Sequence, residues 1–219
     1  MNIFFSNIKI KSSILLPYMF TILLIEGILF LSKNTLHADK LYYDSLLEQM
    51  SFEQVEELSK RSQRLMWISY VIIPIVYLIK FSFVSTCLYI GAFFIDKRLR
   101  FSDLFSVAIK AETVFIFLSL FKIIWFSIFK TDYTYLDFAT FSPMSLLSIV
   151  GMEGVDKIWH YPLQVFSLFE VIYWFVLAFG VKELLEKDLT PSFKLVLSSY
   201  GLGLLSWIVV IMFITATLS

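Results

Sequence analysis

Five long apolar runs, at 14–31, 65–95, 113–129, 163–181 and 195–217, decide what this chain can fold into. Of its 18 basic and 18 acidic residues, only Glu26, Lys80, Lys122 and Glu170 fall inside those runs. A helix on a water-soluble core keeps charges along its outer face, whereas hydrocarbon drives them out of the whole segment. Lipid also leaves no water to satisfy backbone groups, so only helices and closed barrels span it. Runs of this length predict an all-α fold: a polytopic membrane helix bundle, one domain over 1–219, with five transmembrane helices and short amphipathic helices between them.

A straight helix needs about 20 residues to cross a hydrocarbon core of about 30 Å. Four runs fit one crossing each. The run at 65–95 would rise about 46 Å at about 1.5 Å per residue, yet it offers no polar turn for two crossings. It is expected to be one helix, tilted or kinked at Pro74 and continued outward. The first run follows Lys9 and Lys11, and Leu31-Ser32-Lys33 lacks a small-x-small cleavage pattern, so it reads as an uncleaved first span.

Basic residues set the orientation. With the N-terminus inside, the inner segments hold Lys9, Lys11, Lys97, Arg98, Arg100, Lys110, Lys182, Lys187 and Lys194; the outer ones hold Lys33, Lys40, Lys60, Arg61, Arg64, Lys130 and Lys157. Trp67, Trp125, Trp159 and Tyr161 then fall at the outer interface, where amphipathic rings gather. The expectation is a multi-pass protein of the cell (inner) membrane, N-terminus cytoplasmic and C-terminus outside.

The outer loop at 32–64 is expected to be helical. Tyr43, Leu46, Leu47 and Met50 share a helical face, and Ser51 with Gln54 forms a capping box ahead of the four-apart pairs Glu56–Lys60 and Glu57–Arg61. On the inner side, Ser102 is read as the cap of a helix with Phe101, Leu104, Phe105 and Ala108 along one face, lying in the interface before the third span. Ser142-Pro143 and Thr190-Pro191 mark two further starts, the first running to Val150 and ended by Gly151.

Zero net charge removes the basic surface that nucleic-acid binding requires. The chain has no HExxH metal helix, no GxSxG nucleophile turn and no phosphate loop. His37 and His160 stand in separate outer loops, and Cys87 is the sole cysteine. The expectation is therefore a non-enzyme without cofactor or metal. Gly201 and Gly203 are read as a site of close helix packing.

Four charges remain. An ion at the centre of a bilayer costs about 2.5 to 3.5 kcal/mol on insertion scales, so Glu26, Lys80, Lys122 and Glu170 each need a partner, a cavity or a route to the interface. Lys80 lies in the overlong run and can snorkel. Lys122 and Glu170, each seven residues from the outer end of its run, are expected at matching depth and hence paired. Three roles stay open for these charges: an ion pair fixing helix register, a proton or ion path, or a partner-binding surface.

The stretch Arg100-Phe-Ser-Asp-Leu-Phe-Ser-Val-Ala-Ile-Lys, then Phe169-Glu-Val-Ile-Tyr-Trp-Phe-Val-Leu-Ala-Phe-Gly-Val-Lys and Ser192-Phe-Lys-Leu-Val-Leu-Ser-Ser-Tyr-Gly, together with the order of spans, resembles the Yip domain family and its bacterial members over roughly 65–217. That resemblance implies a membrane protein that binds partners or shapes membranes; it carries over no catalytic or ligand residue. Partners expected are the lipid bilayer and other membrane proteins. The competing expectation is a small ion or solute transporter, or a transport subunit, that uses the intramembrane charges.

Overall fold

The computed structural model describes residues 14–47, 50–130, 132–152 and 154–218; Lys9 and Lys11, which enter the inner count, lie outside them. The described residues form helices α1 (Leu15–Leu36), α2 (Ala38–Leu46), α3 (Phe52–Phe94), α4 (Phe101–Ala111), α5 (Thr113–Ile124), α6 (Tyr135–Ala139), α7 (Leu146–Val150), α8 (Lys157–Val165), α9 (Leu168–Leu185) and α10 (Leu189–Leu218), with a π-helical turn at Trp125–Phe129. There is no strand among them, and one isolated bridge joins Ser145 and Ser167. The all-helical expectation holds.

Among the described residues, four helical segments are long and apolar enough to cross a membrane: Leu15–Leu36, Phe52–Phe94, Phe101–Phe129 and Leu189–Thr217. The fifth run differs. Instead of one helix over 163–181, the chain breaks at Phe166 and Ser167, and Ser167 caps α9 by accepting the Glu170 N–H at 3.3 Å. The break is fixed from outside the run, where Leu146 N–H donates to the Phe166 carbonyl and Leu168 N–H to that of Met144. The resulting α9 has 18 residues and carries Glu170, Lys182 and Glu183.

The expectation of a single helix through the long run holds. α3 is one helix of 43 residues, uninterrupted through Pro74 and Lys80. Ser51 N–H donates to Gln54 Oε1 at 3.1 Å, Gln54 N–H returns a bond to Ser51 Oγ at 3.4 Å, and Lys60 meets Glu56 at 2.6 Å. Glu57–Arg61 is not among the described ion pairs.

Three helix starts move. α4 begins after Arg100, whose guanidinium holds Asp103 at 2.9 Å, so Ser102 is not its cap. The apolar side of α4 is wider than the expected single face, with Leu104, Phe105, Val107, Ala108, Ile109 and Ala111 all buried. It packs on α9 and runs through Glu112 into α5. α7 starts at Ser145, which forms a capping box with Ser148; Pro143 precedes the helix. α10 starts at Leu189, with Pro191 in a first turn whose N–H groups need no helical partner.

The chain divides into two compact units. The first takes residues up to Tyr18, Lys80–Phe115 and Ser142 onward. Its core takes Phe81, Val84, Leu88 and Ala92 from α3, Ala108 and Ala111 from α4, Leu177 and Ala178 from α9, and Leu195 and Val196 from α10. The second takes Met19–Ile79 and Ile116–Phe141. There Leu36, Ile123 and Phe126 are covered by Ile28, Tyr133, Phe138 and Phe141, and the Tyr133 hydroxyl donates to the Leu36 carbonyl at 3.1 Å.

Candidate functional site

Glu112, between α4 and α5, is 1% exposed, and its Oε1 accepts from Lys80 Nζ at 2.6 Å. Two helices make that meeting possible. α3 presents Lys80 one residue before the buried Phe81, and the apolar face of α4, stepping through Leu104, Phe105 and Ala108, reaches Glu112 four residues later. The lysine ammonium also lies 4.6 Å from the Phe115 ring centroid, where the negative face of the ring adds to its stabilisation.

A second carboxylate lies in the same unit. Glu170 is 6% exposed, in the first turn of α9, where free backbone N–H groups favour an anion. Its Oε1 accepts from Trp174 Nε1 at 2.8 Å, one helical turn on, and from the Tyr200 hydroxyl of α10 at 2.9 Å. Tyr173 stands between the groups, its ring 5.0 Å from Phe115 and 5.6 Å from Tyr200. Tyr173 is 0% exposed. Lys80 and Glu112 are thus joined to Glu170 through one chain of contacts, by way of the Phe115, Tyr173 and Tyr200 rings.

Of the residues singled out in the sequence, Lys80 and Glu170 therefore lie on this chain of contacts. Lys122 belongs to the second unit, with its ammonium 3.8 Å from the centroid of the Phe138 ring. Glu26, half-buried on α1, has no side-chain partner among the described residues. The Lys122–Glu170 pair is not among the described ion pairs. The matching depth behind it also loses its basis, because the helix carrying Glu170 starts at Leu168 and not at 163.

Glu112 was missed because the segment before 113 reads as a cytoplasmic loop. The signal was there: the face Phe101, Leu104, Phe105 and Ala108 continues at helical spacing to Glu112. Tyr173 and Trp174, three and four residues after Glu170, were legible as its neighbours by the same rule.

Gly91 and Gly203 bring α3 and α10 together. A Cβ at Gly91 would lie 2.6 Å from Ser199 Cβ, and one at Gly203 would lie 2.5 Å from Cys87 Sγ. Gly201 has no such neighbour, its nearest atom being Leu197 Cδ1 at 3.7 Å. Close packing therefore belongs to Gly203 and not to both glycines. No known protein family, curated protein or solved structure matches the chain.

Proposed function

We propose that the chain is a non-enzymatic, five-span integral membrane protein of the Yip-like type that binds and organises partner proteins in the cell (inner) membrane. The observation that carries this reading is α3. Its 43 residues rise about 65 Å, twice the hydrocarbon thickness, so its polar beginning at 52–64 must stand clear of the bilayer. That segment is capped, and its residues are exposed apart from Val55 and Ser59, the form of a rigid arm offered to a neighbour. α9 serves as the fifth crossing: 18 residues rise about 27 Å, Glu170 is satisfied internally, and Lys182 and Glu183 reach the inner headgroups.

A second reading, transport of an ion or small solute along Glu26, Lys80, Lys122 and Glu170, draws on the buried carboxylates. Against it stands the unbroken helix through Pro74 and Lys80, since unwound backbone is what usually lines a path at membrane depth. Two measurements separate the readings. A photo-crosslinker at Glu57 is expected to give a discrete adduct with another membrane protein in cells, lost when Leu58→Pro breaks the arm. Purified protein in liposomes is expected to pass no ions. Flux that disappears in Lys80→Met would transfer the function to transport.

A further inference from the structure

The arm at 52–64 carries its charges on one face and in one order. Glu53, Glu56, Glu57, Lys60, Arg61 and Arg64 recur at the three- and four-residue spacing that keeps side chains on one side of a helix. All of them are exposed, whereas Val55, on the opposite side, is 5% exposed. The arm therefore packs with one side and presents its charge with the other. Along the charged side the acids come first and the bases follow, so like charges stand three or four apart at Glu53–Glu56, Glu53–Glu57, Lys60–Arg64 and Arg61–Arg64. Such spacings work against a helix on its own. The helix dipole favours an acid in the first turn, but it gives the bases nothing, because α3 runs on to Phe94. Lys60 meets Glu56 at 2.6 Å, while Glu53, Glu57, Arg61 and Arg64 take part in no ion pair among the described residues.

We propose that this face docks the arm of a second copy of the chain, antiparallel, with the two copies in bilayers that face each other. A two-fold axis between Leu58 and Ser59 sets Glu53, Glu56 and Glu57 against Arg64, Arg61 and Lys60 of the second copy, and symmetry makes each contact twice. The Glu56–Lys60 bond is compatible with this, since an ammonium has three donors. Orientation in the membrane decides where the second copy sits. Copies inserted the same way in one bilayer carry their arms in the same direction, and side by side they set acid against acid and base against base. Copies in opposed bilayers present antiparallel arms and set opposite charges together. The order of charges thus repels the wrong arrangement as well as attracting the right one. Exposed ion pairs are individually weak, so the contact depends on several copies acting together across the gap. This inference rests on the reading of 52–64 as an arm clear of the bilayer, and it names the partner.

The test is the clustering of phosphatidylcholine vesicles that hold the purified full chain, followed by light scattering at low salt. Wild-type vesicles are expected to cluster, and to disperse at 1 M salt, where the Debye length falls to about 3 Å. Vesicles with Glu53→Lys, Glu56→Lys and Glu57→Lys combined should stay apart from one another, as should those with Lys60→Glu, Arg61→Glu and Arg64→Glu. Mixing the two populations should restore clustering, and so should all of these changes in one chain. Because reversed charges can weaken the helix itself, a second measurement uses single cysteines in a Cys87→Ser protein. Oxidation should join Glu53→Cys chains in one vesicle population to Arg64→Cys chains in another, and should leave Glu53→Cys chains unjoined to each other. Wild-type vesicles that never cluster, clustering that both triple variants retain, or a bond between two Glu53→Cys chains would overturn the proposal. So would clustering only with protein-free vesicles of anionic lipid, which would make the basic half a headgroup site. If the vesicles stay apart while a crosslinker at Glu57 still captures a different membrane protein, this inference falls and the partner-binding reading stands.

Discussion

Lys80 and Glu112 illustrate how a membrane protein keeps an ion in its interior. Their 2.6 Å bond leaves the lysine side chain 37% exposed and the glutamate 1% exposed, so the glutamate suffers most when the bond is broken. Lys80→Met is expected to destabilise the protein in detergent by about 3 to 5 kcal/mol, the range for a buried charge stripped of its partner. Lys80→Met with Glu112→Leu should recover much of that loss, which thermal unfolding of the single and double variants would measure. Additive losses would mean that the two groups do not act as a pair. A lysine in an apolar run announces that it needs a partner, but the partner itself was hidden on the sequence's loop side of a helix boundary. At the surface, Asp137 shows the opposite economy. The Lys130 ammonium at 2.8 Å, together with the Thr134 N–H and hydroxyl, holds its carboxyl down to about 2 from an ordinary 3.8. A carboxyl lowered on folding stabilises above its unfolded value and stops doing so as pH falls through the folded one. The stability gap between wild type and Asp137→Asn should hold steady above pH 3.8 and close toward pH 2; a gap that widens on acidification would contradict this assignment.

At the scale of elements, the legible parts were those dictated by a continuous local pattern. α3 followed from an apolar run without a polar turn, joined to a capping box. The break between α8 and α9 was not legible, because its backbone bonds go to Met144 and Leu146, some 22 residues upstream in the case of Ser145 and Ser167. The packing of α4 on α9 stayed hidden because amphipathicity looks the same whether an apolar face meets lipid or another helix; the alanines of α4 were the better clue, since small residues let helices approach. The α3–α10 crossing yields a graded series. Gly91→Ala is expected to cost about 1 to 3 kcal/mol, as overpacking does, since its new methyl meets the fixed Cβ of Ser199. Gly203→Ala meets the end of the Cys87 side chain instead, so Cys87→Ala should suppress its effect. Gly201→Ala should be near neutral. Unfolding midpoints in one detergent would rank the three, and an equal loss at Gly201 would contradict the assigned contacts.

At the scale of the molecule, the account stands on the number of crossings and their direction. Among the described residues four helical segments are long and apolar enough by themselves, and the proposed fifth crossing rests on α9, where Glu170 is hydrogen-bonded by Trp174 and Tyr200. The most direct measurement is cysteine labelling in a Cys87→Ser protein, using exposed positions at the ends of α3 and to either side of α9. Glu57→Cys and Lys157→Cys should react with an impermeant reagent on intact cells, whereas Lys97→Cys and Lys187→Cys should react only after permeabilisation. The inverted pattern would reverse the orientation, and labelling of both Lys157→Cys and Lys187→Cys from the same side would remove the fifth span.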